Sequence, residues 1–111
     1  MATSPLSQLI AVQEREWQEM QPGVRMKQLW VDEGTKRRAL ISKIEPGAKL
    51  PLHRHVGDEF VFVIEGANAD EAGEVTTGNL SYRPNGCTHT VTTKNGATAL
   101  TFLWGRSEML E

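Results

Sequence analysis

The chain has 111 residues, 12 basic against 14 acidic side chains, a formal net charge of −2 and a single cysteine, Cys87. With no basic run longer than Lys36-Arg37-Arg38 it lacks the footprint of a nucleic-acid binder, and one cysteine excludes an intrachain disulfide, which fits a reducing, cytoplasmic setting. The N-terminal apolar run, Leu9 to Val12, has no basic start and is too short for a signal peptide or a membrane span.

The length is that of one domain, 1–111, able to bury roughly 65% of the surface its unfolded form exposes. An N-terminal segment, 1–22, comes first, and its stretch Glu14 to Met20 (EREWQEM) is the only one of helix-friendly composition, too short to change the class. From Pro22-Gly23 onward, turn signals recur at Asp32-Glu33-Gly34, Pro46-Gly47, Val56-Gly57-Asp58, Glu71-Ala72-Gly73, Thr77-Gly78-Asn79, Asn85-Gly86 and Asn95-Gly96. Between them lie VRMKQLWV, RRALISKI, EFVFVIEG and ATALTFLWG, short and rich in β-branched, leucine and aromatic residues. Such spacing predicts an all-β sandwich or barrel. In EFVFVIEG, Glu59, Val61 and Val63 share one face, and Phe60, Phe62 and Ile64 share the other. Both faces are apolar, so both are expected to be buried. One would line the interior; a second sheet, the N-terminal segment or another subunit would cover the other. A small barrel has little chain to spare for this, which favours a homodimer.

The three histidines, His53, His55 and His89, carry the chemistry. His53 and His55 stand at i and i+2, on one side of an extended segment. A bend at Val56-Gly57-Asp58 would start a return strand and bring Glu59 opposite the pair. His89 follows the turn Pro84-Asn85-Gly86 and opens a strand over His89 to Thr93, from which it would be the fourth ligand. Three neutral nitrogens and a carboxylate oxygen suit Zn, Fe(II), Mn, Ni or Cu(II), and suit Ca or Mg poorly. The competing reading of HxHxxxE alone is a solvated polar loop; it is weakened because every histidine of the chain falls in the pattern, with glycines at fixed offsets.

Gly47-x5-His53-x-His55-x3-Glu59-x6-Gly66 resembles the first motif of the cupin superfamily, and Gly78-x5-Pro84-x-Gly86-x2-His89 resembles the second. The second motif ordinarily ends in Asn; here Thr93 stands in its place. The resemblance implies a small double-stranded β-helix (jelly-roll) barrel, often dimeric, with His53, His55, Glu59 and His89 as ligands of one divalent transition metal. Gly47, Gly66 and Gly78 would then occupy turns that need permissive backbone angles, and Pro84 would stiffen the turn before His89. PGV at Pro22, LW at Leu29, ALISKIEPGAKLPLHRH, IEGANADEAGEV and GNLSYRPNGCTHTV are similar to the cupin domain of the ChrR type of anti-sigma factor, whose stand-alone relatives include small dioxygenases acting on diketones.

Among other residues, Cys87 reads as a small turn residue rather than a reactive thiol. Tyr82, Arg25, Lys27, Arg37 and Arg38 are candidate substrate anchors, although charges on alternating strand positions more often form a solvated face. Arg54 should point away from its histidine neighbours, Trp17, Trp30 and Trp104 should be core or interface, and Asp70-Glu71 with Glu74 should form a solvated hairpin. Two functions share this ligand set. One is a metal-dependent enzyme, of dioxygenase type with Fe(II), acting on a chelating carbonyl substrate in the barrel cavity; no separate general base is identifiable. The other is a non-catalytic zinc-containing module that binds or senses a small molecule.

Overall fold

The computed structural model describes residues 4–111; of the N-terminal segment 1–22, residues 1–3 lie outside the described residues. Among the described residues, a single 3-10 turn, Val12–Glu14, precedes ten strands: β1 (Gln18–Gln21), β2 (Val24–Asp32), β3 (Arg37–Ile44), β4 (Lys49–Val56), β5 (Glu59–Asp70), β6 (Gly73–Thr76), β7 (Leu80–Arg83), β8 (Thr88–Thr92), β9 (Ala97–Trp104) and β10 (Arg106–Met109). The segments expected as strands coincide with β2, β3, β5, β9 and β8. The helix-friendly stretch is not helical: its second half joins β1, where Gln18 pairs with Met26 of β2. Too short to nucleate a helix on its own, it takes the ladder bonds that the edge of β2 offers. Among the described residues no helix is long and apolar enough to cross a membrane.

The strands run in the order β1-β2-β3-β9-β5-β8-β4-β10, with β6 and β7 also paired to β5, and every pairing is antiparallel. The sheet curls into the expected all-β barrel around an interior cavity. β5 serves both halves of it. Its first part pairs with β9 and β7, and its second part with β6 and β8. Between them the register with β9 shifts, at Val63/Glu65. A one-residue irregularity exchanges the faces of everything beyond it. Val61 and Val63 (6% and 0% exposed) point inward before the shift, and Asn68 (4%) after it. Val24, Ile44 and Val91 form the core cluster, flanked by Ala48 and Leu50.

The outer face of β5 departs from expectation. Phe62 and Ile64 are 41% and 44% exposed, and Leu80, Tyr82, Phe102 and Trp104 around them are comparably open. They adjoin by register: Phe60 lies opposite Tyr82 and Phe102, and Phe62 opposite Leu80 and Leu100. The second half of the sheet does not fold over them. The N-terminal segment crosses β2 instead, where Lys27 Nζ donates to Val12 O (3.1 Å) and Trp17 packs under Arg25 and Lys27. No tryptophan lies in the core: Trp17 and Trp104 are exposed, and Trp30 is half-buried beneath Arg37.

Gly47, Gly66 and Gly78 all take positive φ, as their motif positions imply. Gly57 is the most constrained near the histidines, with φ +124° and a backbone neighbour, the Trp104 carbonyl, that an added Cβ would overlap. Gly57→Ala is therefore expected to destabilise the fold by about 3 kcal/mol, against about 1 kcal/mol for Gly86→Ala, where only the backbone angle opposes the change. Urea unfolding of the two variants measures the difference.

Candidate metal centre

β4 carries His53 and His55 to the inner face, and sends Arg54 outward to Glu108 (3.8 Å) as alternation requires. β8 runs antiparallel beside it, with His89 directly opposite His53. The two connecting turns are fastened to each other. His55 N–H donates to Cys87 O (2.8 Å) and Gly86 N–H to His55 O (2.7 Å). Gly57 N–H donates to Asn85 Oδ1 (2.9 Å), while Asp58 Oδ1 accepts from Asn85 N–H (3.0 Å) and from the Tyr82 hydroxyl (3.2 Å). Pro84 O closes the second turn by accepting from Cys87 N–H (3.0 Å). Thr93, in place of the motif's Asn, is structural: its hydroxyl donates to Ala67 O (2.7 Å) and accepts from Gly96 N–H (3.0 Å).

The three imidazoles converge. They are buried, their ring centroids lie 4.4–4.9 Å apart, and one nitrogen from each falls within 4.8 Å of the others. His53 Nδ1 lies 2.8 Å from Pro51 O, so this nitrogen carries the proton and Nε2 is left with a free lone pair. His55 Nε2 and His89 Nε2 face each other at 2.7 Å. Nitrogens bound to one metal at 2.0–2.1 Å stand about 3 Å apart, so a small opening of this contact accommodates an ion.

His89 Nδ1 has two neighbours, Asp70 Oδ2 at 3.1 Å and Arg83 Nε at 2.9 Å. Nδ1 accepts from Arg83 only when deprotonated. With the proton on Nδ1 it donates to Asp70, and Nε2 keeps a free lone pair that could bind a metal. Asp70 Oδ2 then also receives the Arg83 Nε–H and Nη2–H, each at 3.2 Å. A carboxylate behind a ligating histidine fixes both its tautomer and its orientation. Asp70 is thus part of the centre, not of a solvated hairpin, which corrects the expectation for the turn; Glu71 caps Thr90 N–H and Glu74 is exposed.

Burial, followed by the charges of His89, His53 and Arg83, lowers the pKa of His55 to about 4. Burial, then Arg83 and His53, brings His89 to about 4 against the opposing pull of Asp70. Both rings are accordingly neutral at physiological pH, the form that binds metal. Glu59 Oε1 lies 3.5 Å from His55 Nε2 and 3.3 Å from Arg83 Nη1, shared between the cluster and the guanidinium. Burial raises its pKa, and Arg83 acts in the opposite direction. Burial also works to raise Asp70, but the Ala72 N–H, Arg83 and His89 outweigh it and hold the carboxyl below its usual range.

The rings open onto a cavity of about 460 Å³ walled by Leu40, Ile44, Leu50, Val61, Val91 and Leu103. Of the candidate anchors only Arg38 lines it. Arg25 and Lys27 pack on Trp17, Arg37 pairs with Asp32, and Tyr82 stacks on Phe60 outside. Cys87 does not line the cavity, and burial raises its thiol pKa, so no activated thiolate faces the site. Sequence reasoning missed Arg83 and Asp70. Arg83 had a signal, since a charge at the inward position of a strand leading to His89 needs a partner. Asp70 had none, because the register shift in β5 decides its face.

The family described as ChrR Cupin-like domain matches residues 6–106. Comparison with curated proteins finds no match. An acetylacetone dioxygenase from Acinetobacter johnsonii superposes with TM-score 0.83 at 13% identity, over 100% of this chain and 81% of its own. An RmlC-like cupin from Ralstonia eutropha gives 0.85 at 16%, over 92% and 71%. The complex of Rhodobacter sphaeroides SigE with the anti-sigma ChrR gives 0.73 at 24%, over 83% of this chain and 51% of that chain, so this chain spans about half its length. At these identities the structures establish a shared fold.

Asp70→Asn keeps the shape of the side chain and removes the charge behind His89. It is expected to weaken Zn(II) binding by about tenfold or more, read by competition with a chromophoric chelator, with the far-UV circular dichroism spectrum unchanged.

Proposed function

Because the chain belongs to the ChrR cupin-like domain family, we propose that His53, His55, His89 and Glu59 hold one divalent transition metal and that the protein is a metal-dependent small-molecule enzyme of dioxygenase type, acting on a chelating carbonyl substrate. The observation that carries this reading is the convergence of three buried imidazoles on the wall of a largely apolar cavity. The donor set suits Zn, Fe(II), Mn or Ni. When bound, the metal supplies Lewis acidity toward a carbonyl oxygen and, as Fe(II), one-electron chemistry with O₂. The residues of the chain do the rest. Asp70 holds the proton of His89 at Nδ1, Arg83 pairs with both Asp70 and Glu59, and the apolar walls exclude water from a bound ligand.

The family match over residues 6–106 also supports a second reading, a non-catalytic zinc module that binds or senses a small molecule. The open outer face supports a homodimer. Taking aromatic side chains at about 200 Å² each, the exposed fractions of its six large residues amount to somewhat over 500 Å² per copy, and with their neighbours approach the ~800 Å² per partner of a stable interface. The patch lies on a paired antiparallel sheet and is uncharged at its centre, which suits a two-fold contact with a second copy.

Protein purified without added metal or a polyhistidine tag is expected to contain about one equivalent of a transition metal by elemental analysis, and His53→Ala or His89→Ala to lose most of it. Stoichiometric metal in both variants would contradict the ligand set. Loaded with Fe(II), the protein should consume O₂ in the presence of a small diketone or hydroxyketone; ligand binding with no consumption across such a panel selects the second reading. By sedimentation the wild type should be a dimer, and Phe62→Glu combined with Phe102→Glu a monomer.

A further inference from the structure

The two arginines that line the cavity differ in their partners. Arg83 is ion-paired with Glu59 (3.3 Å) and Asp70 (3.2 Å). Arg38, on the inner face of β3, also lines the cavity, and among the described residues it has no ion pair and no side-chain hydrogen bond. The nearby acid Asp32 is taken by Arg37 (3.1 Å) and Thr35 (2.9 Å). A charge without a partner is costly in an apolar enclosure, so the Arg38 guanidinium is the group of the cavity wall left to meet a ligand's opposite charge.

The register places these groups in one row. Arg38 lies opposite Leu103, Leu103 opposite Glu59, and Glu59 opposite Arg83. Two strand spacings separate the backbones of Arg38 and Glu59 by about 10 Å. The histidines of β4 and β8 and the unpaired Arg38 guanidinium of β3 thus line the same cavity. A fork of this kind matches a carboxylate bidentately.

Resting on the metal site proposed above, we infer that Arg38 is the carboxylate anchor of the cavity and that the preferred ligand is a small oxo-carboxylate, its carbonyl toward the histidines and its carboxylate on Arg38, bound more tightly than a neutral carbonyl compound. The ligand's carboxylate supplies the partner that the walls leave Arg38 without.

Acetoacetate and its methyl ester have the same carbonyl skeleton and differ in the charge that Arg38 would read. By isothermal titration calorimetry with Zn(II)-loaded protein, acetoacetate is expected to bind about tenfold or more tightly than methyl acetoacetate. Arg38→Gln should abolish that preference and leave metal content and ester affinity unchanged. Arg38→Lys, which keeps a point charge without the fork, should restore part of it. Equal affinities in the wild type, or a preference that survives Arg38→Gln, overturns the assignment of Arg38 while the metal and cavity reading stands. Binding of neither compound to fully metal-loaded protein overturns both.

Discussion

The centre depends on a clasp of two backbone hydrogen bonds. The N–H and C=O of His55 are bonded to Cys87 and Gly86, at 2.8 and 2.7 Å. They tie the turn before β5 to the turn before β8, more than thirty residues apart in the chain, and the β4–β8 ladder then sets His53 opposite His89. Side chains could not do this alone. Three buried imidazoles have each lost hydration, and two present nitrogens to each other at 2.7 Å, so the backbone must bring the rings together before Pro51 O and Asp70 can orient them. Gly57 and the Asn85 amide, which bonds it, let the chain turn tightly enough for the clasp to form.

Around that frame runs a buried electrostatic chain, from Glu59 through Arg83 to Asp70 and on to His89. A guanidinium as enclosed as Arg83, at 4% exposure, is tolerable because two carboxylates flank it. Asp70 thereby faces two demands, to neutralise Arg83 and to accept the Nδ1 proton of His89. One oxygen meets both. The tautomer that supports metal binding is also the one in which Arg83 and His89 both donate to Asp70, so structural and chemical requirements favour the same arrangement. Arg38 stands outside this chain, which is why its charge is available to a ligand.

The two faces of the barrel wall follow different rules. Inside, aliphatic residues wall the cavity; outside, aromatic and large aliphatic residues lie side by side on β5, β7 and β9, exposed among the described residues. That apolar patch is the surface on which the proposed homodimer rests. Alternation predicted which residues share each face, but burial of the outer one was an extension of the apolar pattern that the isolated chain does not fulfil.

The amino-acid sequence by itself determined the all-β class, most strand positions, and the histidines with their flanking glycines. These are matters of local pattern: period-two alternation, residues that turn the chain, and the small set of side chains able to ligate a metal. Only the tertiary structure decided which other side chains meet them. Asp70 faces inward because β5 shifts register at Val63/Glu65, and Arg83 finds its two carboxylates because β7 pairs with β5 at Glu59. Arg38 is distinguished from Arg37 by pointing into the cavity. A strand's parity and its neighbours depend on pairing across the sheet, and pairing is a long-range choice that no local pattern encodes.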